Sequence, residues 1–200
     1  MKMKCLDIIV VEDSEKHAKG IVDAYRGAVG VMSEKNILEK HLGLERVTID
    51  WEKGTKQETV RNDDRFLFYE EEIFEKLDKK INENNKKNIC TGILLDVSLS
   101  KEEYEKASVN DYSGYTVARK IYEKFDERAG IYIVTSIREF GPQVMRLMGT
   151  KELIKRYVSK DLVTEYLSYG VIARTIYYMF WRKVLDEKEE DEIDQLCEQG

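Results

Sequence analysis

The stretch Leu6-Asp7-Ile8-Ile9-Val10-Val11-Glu12-Asp13-Ser14 decides the fold. Ile8 to Val11 is a short β-branched apolar run, the pattern of a strand buried on both faces. Two acids stop it. Ser14 then suits the cap of a helix in which Ala18, Ile21, Val22 and Tyr25 recur at spacings of three and four. The strand-then-helix pattern repeats along the chain. Arg46 to Trp51 alternates Val47, Ile49 and Trp51 with polar residues, and a helix carrying Phe66, Ile73, Phe74, Leu77 and Ile81 follows a polar loop over Glu52 to Asp64. Ile89 to Leu95 reads as a third strand ending on Asp96. After the polar stretch Ser98 to Ser113 comes a helix with Tyr115, Ala118, Ile121, Tyr122 and Phe125. Ile131 to Val134 leads to Thr135-Ser136, and Val144, Leu147 and Met148 fit a helix behind it. Tyr157-Val158 leads to Ser159-Lys160, and the stripe Leu162 to Phe180 marks a long last helix. Ser33 is expected to cap a short extra helix ending near Gly43.

Five such units predict an α/β fold: a flavodoxin-like, doubly wound, five-stranded parallel sheet with helices on both faces. Residues 1–185 read as one domain with insertions near 30–64 and 98–113, and residues 186–200 as an acidic tail. The 200 residues are 42% hydrophobic and 36% charged with a single proline, which supplies a core and excludes low-complexity or collagen-like chains. Net charge is −6. Residues 182–200 hold eight acids against three bases, so the body is near neutral and the tail is expected to be a solvated helix end. That balance argues against a broad nucleic-acid surface, and no apolar run approaches a membrane span. Cys5, Cys90 and Cys197 lie far apart, which fits neither a disulfide framework nor a zinc site and suits a reducing cytoplasm. His17 and His41 lack metal-ligand spacing and are expected at the surface.

In a doubly wound sheet, sites form at the carboxyl ends of the strands. Those ends deliver Glu12 and Asp13, Asp96, Thr135 and Lys160. Three carboxylates at one edge repel unless a cation sits among them. Oxygen-only ligands favour Mg²⁺. A carboxylate beside it can act as a nucleophile towards a phosphoryl group, with a lysine and a hydroxyl holding the other phosphoryl oxygens.

These motifs together resemble the receiver domains of two-component response regulators. The matching segments are Val10-Val11-Glu12-Asp13, Leu94-Leu95-Asp96, Gly114-Tyr115, Ile133-Val134-Thr135-Ser136 and Tyr157-Val158-Ser159-Lys160, spread over about residues 5–182. The resemblance implies that Asp96 is the phosphoacceptor. It implies that Glu12, Asp13, Asp96 and the backbone carbonyl of Ser98 hold Mg²⁺, and that Thr135 and Lys160 bind the phosphoryl group. It makes Thr135 and Tyr157 the hydroxyl and aromatic switch residues. The sequence departs from the family in its loops. Asp96 lies 83 residues after Asp13, Gly114 lies 18 after Asp96 with no proline between, and Asp161 follows Lys160 where the family usually has proline.

A receiver implies a sensor histidine kinase or phosphotransfer protein as donor. Too little chain follows the last helix for a DNA-binding module. Output is therefore expected through a downstream protein or a self-dimer, on the face of the fourth helix, fifth strand and fifth helix. Tyr177, Tyr178 and Trp181 cannot all point inward there. Two other readings stand beside this one. A degenerate receiver would bind partners without phosphorylation. A haloacid dehalogenase-like phosphatase would need an aspartate at position 98, which is Ser98.

Overall fold

The computed structural model describes residues 4–53, 64–99, 112–135, 157–159, 169–181 and 185–198. β1 (Cys5–Glu12) leads into α1 (Glu15–Glu34) and the four-residue α2 (Ile37–Lys40). β2 (Arg46–Lys53), α3 (Asp64–Lys86), β3 (Cys90–Leu95), α4 (Ser113–Phe125) and β4 (Ala129–Thr135) follow. Then come β5 (Tyr157–Ser159), α5 (Tyr169–Trp181) and α6 (Glu187–Glu198). Four strands form a parallel sheet in the order β2-β1-β3-β4, and the three residues of β5 pair parallel with the end of β4. The order reverses between β1 and its two neighbours, because β2 lies on one side of it and β3 on the other. The arrangement is compatible with a flavodoxin-like fold.

Strand alternation divides the core. Leu6, Ile8 and Val10 face one side with Leu94, Tyr132 and Val134, under α1 and α5. Ile9 and Val11 face the other with Ile93, Leu95 and Ile131, under α3 and α4. Side chains with period two thus serve two cores, which is why the strands read as continuous apolar runs. α5 lies against the sheet at backbone contact. Gly92 and Gly130 are register partners on β3 and β4, and a Cβ on Gly130 would overlap the main chain of Met179. Tyr25 of α1 and Thr175 of α5 share a buried hydroxyl–hydroxyl hydrogen bond, and burial raises the Tyr25 phenol above its usual range.

Two expectations change. Ser33 does not open a second helix: it sits in the last turn of α1, and the break falls at Asn36, which adopts φ 57°. Asparagine tolerates that left-handed conformation better than most residues. The helix expected near Gly43 shrinks to α2, and Gly43 turns the chain towards β2 at φ 68°. The acidic segment is likewise not merely a solvated end. The Asp186 N–H donates to Glu189 Oε2, and the Glu189 N–H donates to Asp186 Oδ1, a reciprocal cap that starts α6. Ile193 and Cys197 then enter the core beneath it. Arg174 of α5 holds Glu190 at 2.9 Å and Asp194 at 3.2 Å. The expected helix at Val144 to Met148 lies outside the described residues.

Candidate metal and phosphoryl-transfer site

The strands are parallel, so their carboxyl ends share one edge. Val10 and Val11 pair with Leu94 and Leu95. The ladder continues one step further, with the Asp96 N–H donating to the Val11 carbonyl at 3.0 Å. Asp96 is thereby fastened beside the next two residues of β1 and its exit. Glu12, Asp13 and Asp96 each bring a carboxylate oxygen within 4.8 Å of the others. Glu12 and Asp96 are buried and Asp13 is half-buried.

The α1 terminus organises the near side of this cluster. Ser14 caps the helix, accepting the His17 N–H on its hydroxyl at 3.4 Å. The Ser14 N–H donates to Glu12 Oε1 at 3.1 Å, and His17 Nδ1 lies 3.7 Å from the same oxygen. From β2, the Trp51 indole N–H donates to the Glu12 backbone carbonyl at 3.2 Å. Beyond Asp96 the chain stays inside the protein: Val97 and Ser98 are fully buried. The Gly114 N–H donates to the Val97 carbonyl at 3.0 Å. A Cβ on Gly114 would overlap the carbonyl oxygens of both Asp96 and Val97. Although Gly114 lies 18 residues after Asp96, the start of α4 thus returns to the backbone that carries Asp96. Thr135 ends β4 on the neighbouring strand and is fully buried.

Among the expected site residues, Glu12, Asp13 and Asp96 meet, and Ser98 and Thr135 lie at the same sheet edge. Tyr157 begins β5 with its backbone opposite Ile133. Its side chain and the whole of Lys160 lie outside the described residues. Two neighbours of the cluster were not foreseen. His17 is at the surface as expected, yet it stands over Glu12. Its place one helical turn after a strand end was the signal that could have shown this. Trp51 reads in sequence only as the last apolar residue of an alternating strand.

The donor set is chemically simple. Three carboxylates, two of them buried, are costly together unless positive charge joins them. Carboxylate oxygens with no thiolate among them suit a hard divalent cation such as Mg²⁺, so the residues present fit that ion.

No protein-family model and no curated protein matches the chain. A solved structure described as a yeast Spc42 trimeric coiled coil fused to another structure is 18% identical, with 100% of this chain and 96% of that chain covered and a TM-score of 0.48. At that level the likeness carries no argument about fold or function. Among the described residues, no helix is long and apolar enough to cross a membrane.

Proposed function

We propose that this chain is a phosphoacceptor receiver of the two-component type, built on a flavodoxin-like sheet in which β5 is the fifth strand. One observation carries the reading: Glu12, Asp13 and Asp96 converge within 4.8 Å at the end of adjacent strands. That is where a doubly wound sheet builds its sites. In this reading Glu12, Asp13, Asp96 and the Ser98 carbonyl hold Mg²⁺, which when bound offsets negative charge on the phosphoryl oxygens. An Asp96 carboxylate oxygen attacks the phosphorus of the donor. A P–O or P–N bond to the donor breaks, and the leaving group takes its electron pair. Thr135 and Lys160 hold the transferred group through a hydroxyl and an ammonium. The Thr135 hydroxyl then moves towards it, and the Tyr157 ring follows.

The donor in the cell is a sensor histidine kinase or phosphotransfer protein, in the cytoplasm. Output passes through protein contact or self-association on the face of β5, α5 and the helix expected at Val144 to Met148, the last of which lies outside the described residues. On α5, Tyr177 is half-buried and Tyr178 is buried, while Trp181 is 37% exposed and donates its indole N–H to the Leu42 carbonyl at 2.8 Å. The test is intact mass after incubation with Mg²⁺ and acetyl phosphate. The wild type should gain one phosphoryl group only when Mg²⁺ is present, and Asp96→Asn should gain none. An adduct that survives in Asp96→Asn, or a wild type that never forms one, overturns the proposal.

A further inference from the structure

We infer that Trp51 is a positioning residue for the cation site: its indole N–H clamps the peptide between Glu12 and Asp13, so that both carboxylates meet Asp96. The inference rests on reading the trio as a cation site. The Glu12 carbonyl that accepts the Trp51 N–H, at 3.2 Å, belongs to the same planar unit as the Asp13 N–H. A bond to that plane restrains the Glu12 ψ and the Asp13 φ, the two torsions that set the two side chains relative to each other.

Glu12 is the last residue of β1: on the β2 side it still pairs with Lys53, whereas the register with β3 ends at Val11 and is extended by the bond from the Asp96 N–H to the Val11 carbonyl. The Ser14 N–H holds the Glu12 carboxylate rather than the main chain. The Trp51 bond is thus a side-chain tether to the main chain between the two acids. An indole nitrogen can only donate, so its natural partner is a carbonyl. The ring that carries it is fixed by packing against the core under α1. Like charges at 12, 13 and 96 push apart, and a cation needs them together. A rigid support that opposes the spreading strengthens binding without touching the ion.

The experiment is a Mg²⁺ titration by calorimetry of the wild type, Trp51→Phe and Ile49→Val, with melting of each. Trp51→Phe keeps a ring and loses the N–H. It should bind Mg²⁺ about fivefold more weakly, the effect of one ordinary hydrogen bond. Ile49→Val trims a buried neighbour on the same strand, keeps the N–H, and should bind as the wild type does. Trp51 and Trp181 are the two tryptophans of the chain, so Trp181→Phe leaves Trp51 as sole emitter. Its emission should change with the midpoint that calorimetry gives. Equal Mg²⁺ affinity in the wild type and Trp51→Phe overturns the inference and leaves the cation site standing. If Trp51→Phe does not fold, unchanged Trp51 emission in a Trp181→Phe chain that binds Mg²⁺ by calorimetry overturns it instead. A wild type that takes up no Mg²⁺ overturns the cation site and this inference together.

Discussion

Two regions of this molecule are acidic, and they handle charge in opposite ways. α6 has seven acids in twelve residues and one lysine. The helix spreads them. Glu187 and Asp191 point to water, Glu192 lies 3.7 Å from Lys188 at the surface, Glu189 joins the reciprocal cap, and Arg174 takes Glu190 and Asp194. The sheet edge has three acids, and two come from β1 and its exit while the third arrives from β3. Each is within 4.8 Å of the others, and two are buried. In the linear sequence the tail is the more acidic region. In space the tighter cluster is Glu12, Asp13 and Asp96. Water, Arg174 and Lys188 answer the charge on α6, whereas burial at the sheet edge calls for a cation.

The largest effect should come from breaking the frame of the buried cluster rather than its charges. Gly114→Ala places a methyl group on the Asp96 and Val97 carbonyls, and backbone cannot move aside as a flexible side chain does. Overpacking of this kind costs about 3 kcal/mol. Urea unfolding should show the loss, and the remaining folded protein should no longer be stabilised by Mg²⁺. A variant as stable as the wild type would mean that α4 does not support the Asp96 turn.

Charge itself is tested by Asp13→Asn. Each like-charge pair at about this separation costs about 1 kcal/mol even with the screening of bulk water. Asp13 makes two such pairs. In metal-free buffer near pH 8 the variant should therefore be more stable than the wild type by about 1–2 kcal/mol. In millimolar Mg²⁺ the order should reverse, because only the wild type gains by mass action. If the wild type is the more stable in both buffers, the cluster is not under repulsive stress and the contrast with α6 fails.

Much of the sheet edge was legible because strand ends are local signals. A β-branched run that stops on an acid places that acid at the carboxyl end, so Glu12, Asp13 and Asp96 could be set on one edge from sequence. The α/β class and the two-sided core followed from the same runs. What remained hidden depends on contacts between distant segments. Nothing near Trp51 in sequence says that its indole reaches the Glu12 carbonyl 39 residues away. The overlap that keeps position 114 a glycine depends on a turn 18 residues earlier. α6 was misjudged for a related reason. Its acids dominate the composition, while Ile193, Leu196 and Cys197 provide only a narrow apolar stripe, and the arginine that makes the docking consistent lies on another helix.

The smallest effect should be at that arginine. Arg174 touches two carboxylates, and its guanidinium and both partners keep about a third of their surface in water. Partly exposed pairs of this kind contribute about 1 kcal/mol or less. Arg174→Met keeps the aliphatic stem that packs at the helix junction and removes only the charge. Glu190 and Asp194 then repel each other across one turn of α6, but water can solvate both. Global stability should fall by about 1 kcal/mol. The loss should shrink further in high salt, which already screens the native pair. Amide exchange should quicken along Glu187 to Glu198 and stay unchanged at Val10 to Leu95, because Ile193 and Cys197 still anchor the helix. Mg²⁺ affinity should also be unchanged. If Arg174→Met costs as much as Gly114→Ala, or weakens Mg²⁺ binding, then the two acidic regions are coupled through α5 and the sheet, and the separation drawn between them is wrong.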